Sequence, residues 1–174
     1  MHKLTSSCDL RLIKHKECYN EIFKSIDSCF EYGKVKQFYY EVLGLEVVVD
    51  FGANVTLTGG IALQTKDTWS TFIHKHDSEI IFGGNVAELY FEEDDFDGFI
   101  QKMNYIEGIN YVHPMVKHSW GQRVVRFYDP DNHIIEVGEN MFMVVRRFLN
   151  SGLSIEETAI RMDVPIDYVK SCLE

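Results

Sequence analysis

Apolar side chains recur at Val35, Phe38, Tyr39, Val42 and Leu43, a spacing of i, i+3, i+4, i+7 and i+8 that lines one face of a helix, and Gly44 stands where that helix would close. Three β-rich runs follow, 45–50, 54–57 and 61–64, punctuated by Gly52 and by Gly59-Gly60. Upstream, 21–29 (EIFKSIDSC) carries Ile22 and Ile26 and reads as a strand.

The same order returns further along. A strand-like run, 86–91, leads through the acidic residues Glu92, Glu93, Asp94 and Asp95 into a helix whose apolar stripe is Phe96, Phe99, Ile100 and Met103. After Gly108 come three more strand-like runs, 109–112, 123–128 and 133–137. The helix-closing glycines, Gly44 and Gly108, lie 64 residues apart, so the chain reads as a degenerate repeat of strand, helix and three strands, an α+β fold. The stretch 65–84 is more polar and is expected to be a linker with an extra strand at 71–74. His74 and His76 would alternate on it as exposed histidines, since two residues at i and i+2 make a poor metal site alone. The segment 113–120 (HPMVKHSW) is expected to be a loop over a pocket.

Beyond residue 140 the pattern changes. Ser154 and Glu157 fit a capping box, Gly152 ends the helix before it and Pro165 opens the one after, so 141–174 is expected to be three short amphipathic helices of helix-turn-helix proportions. Their charge is four basic residues against five acidic, with no basic footprint for DNA, and a helical cap on the sheet or on a partner subunit is the favoured reading.

The whole chain of 174 residues carries a net charge of −10 with 45% hydrophobic content, enough for one principal core and too acidic for nonspecific nucleic-acid binding; nucleic acid is not expected as a partner. No apolar run reaches the roughly 20 residues of a membrane span, and a cytoplasmic protein with no membrane contact is expected. The four cysteines, Cys8, Cys18, Cys29 and Cys172, are scattered and are read as reduced thiols.

The residues 38–45 (FYYEVLGL), together with 120–136 (WGQRVVRFYDPDNHIIE), resemble the glyoxalase, bleomycin-resistance and extradiol-dioxygenase superfamily, also called vicinal oxygen chelate. The resemblance covers about 23–140 and implies a domain 1–140 built of two βαβββ modules, about 21–66 and 85–140, whose mixed sheet curls into a half-barrel. It also implies a homodimer and one divalent metal in the concave face, held from the first and fourth strands of each module. Matched residue by residue, those positions are Phe23 or Lys24, then Gln64, Glu88 and Glu136. Neither Phe23 nor Lys24 is an ordinary ligand, and Glu21, two residues before Phe23, would supply one after a small register shift. The oxygen donors Gln64, Glu88 and Glu136 suit Mn²⁺ or Mg²⁺, with Zn²⁺ or Ni²⁺ as further options.

Each candidate has a plainer reading. Glu136 sits among Ile134, Ile135 and Val137, where a carboxylate needs a cation, either a metal or Arg126 across a hairpin through 129–132. Glu88 is a ligand or base, or a solvent-facing strand residue. Gln64 is a ligand or an exposed strand end. His118, Trp120 and Arg126 are the expected substrate contacts, although Trp120 alone would also plug the core. Arg123 and Arg126, three apart on a strand, point to opposite faces.

Three functions follow from this, the last of them a ligand-sensing regulator that would use the helical tail and would need salt-dependent DNA binding. The first is a metal-dependent glyoxalase-type enzyme, a lyase, epimerase or transferase acting on a small oxygen-rich substrate, with Glu88 or Glu136 moving a proton. The alternative is a metal-free protein of the bleomycin-resistance type that binds or sequesters a small cationic or aromatic molecule.

Overall fold

The computed structural model of the chain describes residues 25–29 and 32–173. The first unit contains β1 (Ser25–Cys29), α1 (Tyr32–Leu43), β2 (Val47–Asp50), β3 (Asn54–Leu57) and β4 (Ile61–Thr65), and is followed by α2 (Lys66–Phe72). The second contains β5 (Glu88–Glu93), α3 (Phe96–Met103), β6 (Asn110–Lys117), β7 (Arg123–Tyr128) and β8 (Ile134–Glu139). Each unit makes an open four-stranded mixed sheet, in the orders β1-β4-β3-β2 and β5-β8-β7-β6. In both, the first strand runs parallel to the last and the remaining pairs are antiparallel. The repeat inferred from the glycine spacing is therefore a repeat of topology.

Strand alternation decides which side of each sheet meets the helices. Val55, Leu57, Ile61 and Leu63 from the first sheet and Val125, Phe127, Ile135 and Val137 from the second share one core with Val35, Tyr39 and Val42 of α1 and Phe96, Phe99 and Met103 of α3. Burying side chains of this size stabilises the fold by about 1.5–3 kcal/mol each. The modules are joined through this layer: Phe38 of α1 meets Phe127 of β7 edge to face at 6.1 Å, and Lys102 Nζ of α3 donates to the Val42 carbonyl at 3.0 Å. The opposite, open face of the second sheet carries Glu88, Tyr90, Glu92, Arg126 and Glu136, the residues that alternate with the core set.

The structure departs from the expected elements in three places. The run 71–74 is not a strand: α2 ends at Phe72, with Thr71 Oγ1 and Ser70 Oγ donating to the Asp67 carbonyl. Only Ser70 of this helix is buried, so no apolar period marked it. His74 has φ 56° and His76 caps a short 3-10 turn, its Nδ1 accepting from the Ser78 amide, so the two histidines do not alternate on a strand. Second, 113–117 is strand rather than loop. Pro114 is tolerated because β6 is an edge strand, and register shifts on either side of His113 absorb the irregularity. Third, Glu92 and Glu93 belong to β5; the turn is Asp94-Asp95, and Asp95 Oδ1 caps α3 by accepting from the Gly98 amide at 3.0 Å.

The tail folds as expected into α4 (Met141–Asn150), α5 (Ile155–Met162) and α6 (Ile166–Ser171). Ser154 and Glu157 form the capping box of α5. Val144, Val145, Phe148, Ala159, Met162 and Val169 make a second small core. Cys172 is a buried free thiol. Among the described residues no helix is long and apolar enough to cross a membrane.

Candidate functional site

Four side chains form a row across the open face of the second sheet, one from each strand: Glu88 of β5, Glu136 of β8, Arg126 of β7 and His113 of β6. The register makes Arg126 the Cα partner of both Glu136 and His113. Its guanidinium uses all three nitrogens. Nε donates to Glu88 Oε2 at 2.9 Å, Nη2 pairs with Glu136 Oε2, and Nη1 lies 3.3 Å from His113 Nε2. His113 Nδ1 is 2.8 Å from the Pro114 carbonyl, which can only accept, so Nδ1 carries the proton and Nε2 accepts from Arg126. Glu136 is buried, whereas the Glu88 side chain is 38% exposed. The expected hairpin partnership of Glu136 with Arg126 is thus present, and Arg123, as expected, points to the other face.

A second group borders this row. Trp120 Nε1 donates to Gln122 Oε1 at 3.2 Å, Gln122 Nε2 donates to Tyr90 Oη at 2.9 Å, and the Tyr90 hydroxyl donates to Glu92 Oε1 at 3.0 Å. Gln122 Nε2 also reaches the Glu139 carbonyl at 2.9 Å, which fixes the amide's orientation. Gly138 makes the approach feasible: a Cβ there would meet Gln122 Nε2 at 2.9 Å and the Tyr90 ring at 3.1 Å. Burial raises the Tyr90 phenol; the Gln122 hydrogen bond lowers it and Glu92 raises it again, so it is a donor at neutral pH. His118 stacks on Trp120 with ring centroids 4.2 Å apart and planes 12° from parallel. Burial lowers the His118 pKa, and the charges of Arg126 and then His113 lower it further. The open face therefore combines three carboxylates, one cation and a set of aromatic rings.

The family's expected donors do not converge here. A divalent ion takes oxygen or nitrogen ligands at about 2.0–2.2 Å around a single point. Glu88, Glu136 and His113 are instead spread over three nitrogens of a guanidinium. Gln64 belongs to the other sheet, where it is buried and its Nε2 donates to Thr68 Oγ1 at 3.1 Å. Glu21, Phe23 and Lys24 lie outside the described residues. Among the described residues no group of three or more His, Cys, Asp and Glu is arranged to hold a metal ion. The described residues do not fit the ion.

Of the expected site residues, Glu88, Glu136 and Arg126 are in contact, and Trp120, with His118 stacked on it, is linked to them through Gln122 and Tyr90, the register partner of Glu136. Tyr90, Gln122 and His113 were missed. The alternation of 88–92 with the core residues Leu89 and Phe91 was the signal for Tyr90, whereas His113 was hidden by reading 113–120 as a loop.

The comparisons agree with this architecture. Residues 25–142 match the family described as glyoxalase-like domain, and the chain belongs to that family. It is similar to a protein of unknown function from Agrobacterium tumefaciens str. C58, with 34% identity over 68% of this chain and 92% of that one and a TM-score of 0.59. A lactoylglutathione lyase from Agrobacterium tumefaciens shares the fold at 23% identity, 68% and 92% coverage and a TM-score of 0.53. A member of the glyoxalase, bleomycin resistance protein and dioxygenase superfamily from Sphaerobacter thermophilus DSM 20745 shares it at 22%, 67% and 94%, with a TM-score of 0.53. No curated protein matches the chain. The tail beyond residue 142 lies outside the family match.

Proposed function

We propose that this glyoxalase-like chain binds a small, planar, positively charged organic molecule on the open face of its second sheet, without a divalent metal. The observation that carries the reading is Arg126, whose guanidinium engages both Glu88 and Glu136, the two carboxylates that a metal of this family would need. One cation against Glu88, Glu136 and Glu92 leaves the face negative. The Trp120–His118 stack and the Tyr90 ring offer flat surfaces on which an organic cation gains both apolar contact and attraction to the ring faces. The metal-dependent lyase, epimerase or transferase of the same superfamily is the competing reading.

Two measurements separate them. Proflavine, a planar cation, is expected to bind with a salt-sensitive affinity and to quench tryptophan emission, whereas the planar anion anilinonaphthalene sulfonate is expected to bind at least tenfold more weakly. Exhaustive dialysis after loading with Mn²⁺, Ni²⁺ or Zn²⁺ is expected to leave no retained ion. One ion per chain, lost in Glu136→Ala, would overturn the proposal in favour of the metal enzyme.

A further inference from the structure

The C-terminal helices touch the candidate site through one short turn. Residues 118–122 close on themselves, the Gly121 amide donating to the His118 carbonyl at 2.9 Å and the His118 amide to the Gln122 carbonyl at 2.8 Å. This turn carries His118, Trp120 and Gln122, three of the groups on the open face. Its outer side is gripped by the tail. Arg147 Nη2 of α4 donates to the Gly121 carbonyl at 2.7 Å, Arg161 Nη1 of α5 donates to the Ser119 carbonyl, and the Phe148 ring fills the space where a Cβ of residue 121 would stand.

The grip is itself anchored. Arg147 and Arg161 stack over Phe148, with guanidinium carbons 5.2 and 5.4 Å from the ring centroid. Arg147 also donates to both carboxylate oxygens of Glu139, at 3.1 and 2.9 Å, and Arg123 of β7 donates to the same two oxygens at 3.1 and 3.0 Å. Glu139, at the end of β8, thereby joins the tail to the sheet. Between the turn and the tail lies a cavity of about 530 Å³ lined by Ser119, Trp120, Met141, Arg161, Met162 and Val164 among others, so the surroundings of Trp120 on this side are built from tail residues.

We propose that the tail is part of the binding site: α4 and α5 hold the 118–122 turn so that the His118–Trp120 stack faces the acidic row, and Arg161 is a positioning residue for that stack. This rests on the reading of the open face as the binding site. Two of the tail's guanidinium contacts, Arg147 on the Gly121 carbonyl and Arg161 on the Ser119 carbonyl, fall on the turn that carries those rings.

The test uses the full chain in a Trp69→Phe background, so that Trp120 is the sole reporter. Arg161→Met is expected to raise the Kd for proflavine about tenfold and at least to double the acrylamide quenching of Trp120, while circular dichroism retains the tail helices. Arg161→Lys, which keeps a donor for the Ser119 carbonyl, is expected to restore most of both values. Phe148→Leu provides a second route to a loosened turn with the same two readouts. Lys170→Ala, on α6 and away from the turn, is expected to change neither. Unchanged affinity and unchanged quenching in folded Arg161→Met and Phe148→Leu would overturn the inference. If the parent chain fails to bind proflavine, the binding proposal falls by itself, and the quenching of Trp120 still decides whether the tail orders the turn.

Discussion

Arg126 and Glu136 are register partners across the β7–β8 ladder, and the guanidinium Nη2 pairs with the buried carboxylate on the open face. Removing one partner from a buried pair leaves an uncompensated charge, at a cost of about 3–5 kcal/mol. Arg126→Met is therefore expected to lose about 3 kcal/mol in urea unfolding at pH 7. Glu88→Gln, at a side chain 38% exposed, is expected to lose less than about 1 kcal/mol. Equal losses would mean that the row is not graded by burial.

The same guanidinium is sensed by His118. Burial, then Arg126, then His113 lower its pKa. An NMR titration of the imidazole is expected to give a midpoint below about 6.5, the ordinary value, and Arg126→Met is expected to move it upward because a nearby cation has gone. A midpoint at or above the ordinary value would remove His118 from the neighbourhood of the row.

Acid should loosen the joint between sheet and tail. Burial raises the Glu139 carboxyl, but hydrogen bonds and charge from Arg147 and Arg123 outweigh it and hold the pKa below its ordinary 4.5. A carboxyl depressed in the folded state contributes stability above pH 4.5 that is lost as the pH falls through the folded value. Urea unfolding at pH 7, 4.5 and 3 is expected to show a steeper loss for the parent than for Glu139→Gln. Parallel curves would show that Glu139 is not a site of linkage.

Gly121 has φ +98° and the Phe148 ring at its Cβ position. Gly121→Ala is therefore both strained and overpacked, and a loss of about 2–4 kcal/mol is expected, with Trp120 emission shifted. Ser154→Ala, which breaks only the capping box of α5, is expected to cost about 1 kcal/mol and to speed amide exchange in 155–158. A larger effect from the cap than from the glycine would contradict the account of the turn.

How much of this was legible in the sequence follows from the range of each interaction. The α1, α3 and tail helices were readable because their signals are local: the apolar stripes of α1 and α3, Gly44 closing α1, and Ser154 and Glu157 opening α5. Helix α2 was not, since its hydroxyls bond back to its own first turn and only Ser70 is buried. The alternation of 123–128 separated Arg123 from Arg126 correctly. It could not say that Arg126 would engage two carboxylates at once, because Glu88 is 38 residues away and joins through a parallel strand pair. His113 escaped for a related reason: a proline inside an edge strand reads locally as a break.

The parallel closure of each sheet has a consequence for synthesis. Glu88 meets Ile134 only 46 residues later, and Ser25 meets Ile61 after 36, so each sheet waits for its fourth strand before its first can be placed. Helix α4 starts two residues after β8 ends. As the chain leaves the ribosome, the strand that completes the acidic row is thus followed at once by the helix that grips the aromatic turn, and the two halves of the open face mature together.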